Sequence, residues 1–307
     1  MSGLEVPPAL WAVLAHGLRS GAGGQAAPAA YFVGGCVRDS LLGIPLHDLD
    51  LAVAGDPMAA ARVLADAVQG HPFWLDPEGG VVRVAIQERP DFHVDVCRLK
   101  GSLEEDLLAR DLTINALAIP LESGLTATDQ VVDRCGGRDD LARGVIRFVS
   151  PAAPVQDPLR LLRALRFRWK LDFQLDPGTL SRLRECVLGL NRVSGERIRD
   201  ELFQLLALPN PAAAVRECLE LGLGPVLIGR PVPEAGPIVP DPHVVGRAEA
   251  ALGHLAGRLS DGSQSLSLPS ECRADAGDRG PRALLRERLE RPAPSGRRRR
   301  ELLFWIA

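Results

Sequence analysis

The chain has 307 residues, a formal net charge of −3, and 46% hydrophobic against 24% charged residues. That length fits about two domains with a real buried core. No apolar run reaches the roughly 18 residues of a membrane span, and Met1-Ser2-Gly3-Leu4-Glu5 lacks the basic start of a signal peptide. The near-neutral balance carries no global nucleic-acid signature. The six cysteines contain no Cys-x-x-Cys pair and the six histidines show no ligand spacing. Free thiols in a reducing cytoplasm are therefore expected, rather than a disulfide framework or a zinc site.

In chain order, residues 7–19 read as a helix with Pro in its first turn, followed by a Gly/Ala/Pro linker over 21–29. Tyr31-Phe32-Val33 reads as a short strand stopped by Gly34-Gly35, and 36–42 as a short helix ending at Gly43. Leu49 to Val53 alternates as a strand does. Residues 57–69 are helical, and 80–86 and 92–97 are further strands. Beyond residue 150 the period changes. Residues 157–170, 176–188, 194–207 and 211–221 carry helical spacing, so an all-α half is expected. From about 229 the pattern gives way to Pro, Gly and Ser, around one helix at 243–259. The fold class is α+β: a small mixed sheet flanked by helices, then a helical region.

One constellation carries chemistry. Gly34-Gly35 at a strand end lets backbone N–H groups approach an anion closely. The next helix turns its positive end the same way, with Arg38 in its first turn. Asp48 and Asp50 stand two apart, so in a strand both carboxylates face one side. Paired hard oxygen ligands suit Mg²⁺. An anion cradle beside two metal-binding carboxylates is equipment for phosphoryl transfer. Taken singly, Gly-Gly would be a plain turn and Asp-x-Asp a solvated strand face; their close spacing is what gives them meaning.

The string from Gly34 to Val53, GGCVRDSLLGIPLHDLDLAV, resembles the head motif of the class II CCA-adding tRNA nucleotidyltransferases and the bacterial poly(A) polymerases. Both belong to the polymerase-β-like nucleotidyltransferase superfamily. The likeness continues in order through Arg110-Asp111-Leu112-Thr113-Ile114-Asn115-Ala116, then Asp133 with Gly136-Gly137 and Asp140-Leu141. It ends with Asp157 to Phe167 and Ser194-Gly195-Glu196-Arg197-Ile198.

The resemblance implies a catalytic head over 1–145, a helical neck that reads the base and binds RNA over 146–228, and an irregular tail over 229–307, a truncated helical or HD-like region. Asp48 and Asp50 would hold Mg²⁺, with Asp95 as a third carboxylate that assists the metal or deprotonates the primer hydroxyl. Its bland alternative is a surface residue on an edge strand. Gly34, Gly35 and Arg38 would meet the triphosphate; Arg110 and Asp111 would bind the ribose, supported by Asn115. Asp157 and Arg160 would recognise the base without a template. A carboxylate accepts from the amino group of cytosine or adenine, and an arginine donates to the adjacent ring nitrogen. Asp157 would otherwise simply cap its helix. Arg163 and Arg166 would reach phosphates from the same helix or form a solvated face. Ser194 reads as an N-cap. The implied partners are the tRNA 3′ end, CTP and ATP, with no membrane; nothing fixes an oligomeric state.

Three departures from the motifs bear on activity. Ala109 replaces an arginine, Gln156 replaces a glutamate before Asp157, and only 15 positions separate Asp95 from Arg110, where many full CCA-adding members carry a longer loop. Addition of CC alone is thus an alternative to CCA synthesis, with poly(A) polymerase activity and a non-catalytic RNA-binding remnant behind it.

Overall fold

The computed structural model describes residues 29–87 and 89–227. The helices expected over 7–19 and 243–259, most of the 21–29 linker and the 229–307 tail lie outside the described residues. The chain divides into two compact units. Among the described residues, the first takes in positions up to 160 together with 171–182, and the second 161–170 and positions from 183 on.

The first unit is built on a seven-stranded sheet. Its strands are β1 (Ala30–Val33), β2 (Asp48–Val53), β3 (Gly70–Asp76), β4 (Val81–Ile86), β5 (Arg89–Arg98), β6 (Leu117–Pro120) and β7 (Val132–Asp133). The order is β3-β4-β5-β2-β1-β6-β7. Only β2 and β5 run parallel. Alternation makes each strand two-faced. Leu49, Leu51, Val82, Val84, Val94 and Val96 are all buried, and the helix Pro57–Val68 packs against β3, β4 and β5. That helix starts where sequence logic puts it. The Asp56 side chain accepts from Met58 N at 3.0 Å, and Pro57 occupies the first turn.

On the second face, Val33, Ala52, Leu99, Leu107, Ala116 and Ala118 form an apolar cluster. The same face leaves the start of β2 open, with Asp48 exposed and Asp50 partly buried. One strand thus builds core with its odd positions and presents carboxylates with its even ones.

Strands expected over 31–33, 49–53, 80–86 and 92–97 appear as β1, β2, β4 and β5. Strands β3, β6 and β7 and the helix Leu103–Leu108 were not foreseen. That helix is closed by a reciprocal capping box, Ser102 with Glu105. The helical half has the helices Leu159–Leu171, Pro177–Glu185, Gly195–Leu206 and Pro211–Glu220. The all-α expectation needs one correction: β9 (Gln174–Leu175) pairs in parallel with β8 (Val145–Ile146). Asp172, with φ of 55°, turns the chain after the helix so that these two residues run extended. In the second unit Leu161, Leu162, Leu165, Leu205, Ala214 and Cys218 are fully buried. Ser194 holds the N-cap position of Gly195–Leu206, but its hydroxyl makes no capping bond.

No helix among the described residues is long and apolar enough to cross a membrane. The five described cysteines are all free; Cys36 and Cys218 are buried and the other three partly so.

Candidate active site

Gly34 ends β1 at φ 71°, a conformation that costs glycine nothing and strains any other residue. A Cβ there would stand 3.0 Å from Arg110 Nη1 and 3.5 Å from Asp50 Oδ2. The turn, the arginine and the carboxylate therefore meet at one point, and a side chain would displace the arginine. Behind the turn, the buried Cys36 thiol donates to Val33 O at 3.3 Å and Asp50 O at 3.6 Å. Burial, with the Asp50 charge adding to it, pushes that thiol up to about 12, so it remains a neutral spacer.

In the parallel pairing of β2 with β5, Asp50 lies opposite Asp95 and Asp48 opposite His93. Strand β5 sits between β4 and β2, so Asp95 is in the sheet interior and the edge-strand reading is corrected. Asp50 is pushed up to about 6, first by burial, then by the charges of Asp48 and Asp95; Arg110 and Arg38 oppose the rise. Asp95 is already engaged on both of its carboxylate oxygens. Arg83 holds it in a two-pronged pair, Nε to Oδ1 at 2.7 Å and Nη2 to Oδ2 at 2.8 Å.

Around the other side of Asp50 a polar network fixes the remaining head residues. Arg110 donates from Nε and Nη2 to Asp106 Oδ2 at 3.1 and 2.9 Å, one helical turn back. Arg38 is buried; its Nη1 donates to Asn115 Oδ1 at 2.6 Å and its Nε to Asp39 Oδ1 at 2.7 Å. Asn115 in turn donates to Asp111 Oδ1 at 3.1 Å, which also accepts from Leu112 N at 2.7 Å. Asn115 thus bridges Arg38 and Asp111. Arg38 lies within the field of Asp50 but is anchored to that support rather than projecting into open space.

The segment from Asp133 to Arg147 braces this loop. Asp133 accepts four backbone N–H groups, from Cys135, Gly136, Gly137 and Arg138, at 2.8–3.0 Å. Asp140 is fully buried and accepts from Thr113 Oγ1 at 2.6 Å, Arg143 Nη2 at 2.8 Å and Arg147 Nε at 2.9 Å. A Cβ at Gly137 would run into the Thr113 carbonyl oxygen. Gly137→Ala should therefore cost about 2–3 kcal/mol, measured as a shift in urea midpoint at constant m. An unchanged midpoint would show that the loop gives way there.

Arg160 does not stand free in the first unit. Its Nη2 donates to Ala109 O at 2.6 Å and its Nη1 to Arg110 O at 2.9 Å and Ala153 O at 3.4 Å. The guanidinium thereby ties the start of its helix to the loop that carries Arg110 and Asp111. Asp157 accepts weakly from Leu159 N at 3.3 Å, the capping use foreseen as the alternative to base recognition. In the second unit, Arg166 is buried and pairs with Glu201, Nε to Oε1 at 2.5 Å, with its guanidinium 4.3 Å from the Phe167 ring centre. Arg163 is partly exposed and lies 5.8 Å from the same ring.

Three contributors escaped the sequence reading: Arg83, Asp106 and Arg147. Asp106 was accessible in principle, because Asp-to-Arg spacing of four on a helix is a pairing signal. Arg83 required knowledge of strand register.

A two-carboxylate strand beside a glycine turn, on a mixed sheet followed by helices, defines a nucleotidyltransferase fold. Residues 30–147 match the poly A polymerase head domain and 172–235 the "probable RNA and SrmB-binding site of polymerase A", together more than half of the chain. The CC-adding tRNA nucleotidyltransferase of Geobacter sulfurreducens is 40% identical over 201 residues, 65% of this chain and 45% of that protein. The A-adding tRNA nucleotidyltransferase of Deinococcus radiodurans is 41% identical over 201 residues, 64% of this chain and 44% of that one. The solved Thermotoga maritima CCA-adding enzyme, complexed with tRNA, aligns with TM-score 0.66 at 26% identity, covering 87% of this chain and 61% of that one. The chain belongs to the family of tRNA nucleotidyltransferases and bacterial poly(A) polymerases. It spans about half the length of the curated relatives it matches.

Proposed function

We propose that the protein adds C, A or both to the 3′ end of tRNA from CTP and ATP, without a template, releasing pyrophosphate in the cytoplasm. The observation that carries this reading is the convergence of Asp48 and Asp50 with the Gly34 turn and Arg110. Relatives named for adding CC, A and CCA agree in class and differ in product.

Enzymes of this family generally use a divalent metal, and we read it as Mg²⁺. The residues fit. Asp48 and Asp50 offer hard oxygens on one face of β2, and the repulsion felt at Asp50 is what a cation relieves. Among the described residues, no cluster of three or more His, Cys, Asp or Glu is set to hold a metal. On this reading Asp48 and Asp50 would be the protein's ligands. Bound there, the metal would supply charge neutralisation at the phosphates and activation of the RNA hydroxyl.

The chain's own residues do the positioning. Backbone N–H groups after Gly34 and the Arg38 and Arg110 charges would hold the triphosphate, and Asp111 with Asn115 the ribose. Asp157 and Arg160 would read the base, and Arg163 and Arg166 would contribute positive charge from the helix; the head would take in 1–145 and the neck and body 146–228. For Arg160 this requires exchange of its carbonyl partners for the ring nitrogen of the base. Asp95, held by Arg83, would act as a positioned charge.

CC addition alone is the second reading. The observation favouring it is that a capped six-residue helix, Leu103–Leu108, occupies the stretch between β5 and Arg110. The deciding assay supplies labelled CTP or ATP with tRNAs lacking three, two or one terminal nucleotides. CMP incorporation on the first two and AMP on the third gives CCA synthesis, and CMP without AMP gives CC addition. Long AMP tails on any RNA would replace the tRNA reading by poly(A) polymerase, and no incorporation at all would refute the enzyme.

A further inference from the structure

The carboxylates lie on a row that continues across the sheet. Asp50 is opposite Asp95, Asp95 opposite Arg83, and Arg83 opposite Phe73 on the edge strand β3. Residues paired in register point to the same face, so these four side chains share the face that carries Asp48. The parallel row runs Asp48, His93, Ala85, His71. Away from β2 this face is open: Phe73 is 45% exposed, Arg83 30%, and Ala85 and His71 are exposed. Trp74 belongs to the opposite face with Val82.

A transfer reaction must bring two substrates to the carboxylates from different sides. The β1 side is taken by the Gly34 turn, Arg38, Arg110 and Asn115, the equipment read above for the nucleotide. The β4–β3 side carries one cation and one exposed aromatic ring. Those are the two elements that single-stranded nucleic acid uses, a charge for the backbone and a π-face for a base. Arg83 spends Nε and one Nη2 hydrogen on Asp95, and its Nη1 has no partner among the described residues. With strands about 4.8 Å apart, Phe73 sits about 14 Å from Asp50. At about 3.4 Å per stacked nucleotide, that is within about four nucleotides of a 3′ end held at the carboxylates.

We propose that Phe73 and Arg83 form a subsite for the acceptor RNA, in which Phe73 stacks on a base near the 3′ end and Arg83 contacts the backbone. This rests on the nucleotidyl-transfer reading. It extends that reading by assigning the unclaimed side of the sheet to the RNA substrate.

The test uses the full chain, tRNA lacking its CCA end, and the variants Phe73→Ala and Phe73→Trp. The KM for the RNA should rise about tenfold in Phe73→Ala, the scale of one lost base stack. The KM for CTP should stay unchanged, and Phe73→Trp should recover the RNA value. The thermal midpoint should fall little, because Phe73 lies on an edge strand with nearly half of its surface in water. A readout independent of turnover is photocrosslinking of tRNA carrying 4-thiouridine among its last four nucleotides, expected on the 70–76 peptide. An unchanged RNA KM together with no crosslink on that peptide would overturn the subsite. So would dissociation of a dimer by Phe73→Ala with RNA binding intact, which would make β3 a protein interface. Failure of the wild type to incorporate any nucleotide would refute the enzyme reading, and the crosslink would still decide the subsite.

Discussion

Asp48→Ala and Asp50→Ala should each lower nucleotide incorporation by about a thousandfold or more while leaving tRNA binding within about twofold. The argument is electrostatic. These two carboxylates are the hard-oxygen pair of the open sheet face, and removing either would remove one of the metal's two protein anchors. A bound metal contributes several kcal/mol of transition-state charge stabilisation, so a loss of this size follows. RNA affinity, by contrast, comes from phosphate contacts and base stacking, to which a carboxylate contributes nothing favourable. Incorporation of labelled CMP and filter binding of tRNA, measured on the same preparations, separate the two. Turnover retained within tenfold in either variant would refute the metal pair. Asp95→Asn provides a scale. Both Asp95 oxygens already accept from Arg83, so taking up a proton would mean giving up one of those bonds. A loss of only about tenfold is expected there. A thousandfold loss would show that Arg83 releases it during turnover.

The parts of this site legible in sequence are those set by local rules. Gly34-Gly35 announced a turn, and the two-residue step from Asp48 to Asp50 fixed both carboxylates on one face, because a strand has period two. The valines of β4 and β5 declared buried strands. What stayed hidden depended on chain segments far apart. Arg83 meets Asp95 only because a hairpin sets their register, and a shift of one residue would have sent Arg83 to the opposite face. Strand β3, GHPFWLD, shows no clean alternation: as an edge strand it exposes Phe73, Trp74 and Leu75 in succession. Arg160 finds main-chain carbonyls at positions 109 and 110, acceptors that no side-chain pattern reveals. Asp157 accepts from Leu159 N at 3.3 Å, a local main-chain bond of the kind that a helix-start carboxylate makes wherever it stands.

Arg166 shows how a correct helix can carry a hidden partner. Its three-residue step from Arg163 suggested a charged, phosphate-facing stripe, but Arg166 is 7% exposed and paired to Glu201, itself 4% exposed and 35 residues away. Burial changes the expected behaviour of the pair. Removing the carboxylate takes a close counter-charge from a buried guanidinium, so Glu201→Ala should destabilise the chain by about 3–5 kcal/mol. Replacing both charges by apolar groups of similar volume removes that penalty, so Arg166→Met with Glu201→Leu should recover most of the loss. Urea denaturation of the single and double variants measures both effects. The same double variant settles whether Arg166 also serves RNA. An arginine that neutralises a phosphate contributes nearly one unit to the slope of log K against log salt. If Arg166 only holds helix Gly195–Leu206 in place, the double variant binds tRNA with the wild-type slope. A slope reduced by about one, with stability recovered, would return Arg166 to the RNA-binding surface and make the ion pair a resting arrangement. A double variant as unstable as Glu201→Ala would instead mean that the pair's hydrogen-bond geometry, and not the buried charge alone, organises this part of the second unit.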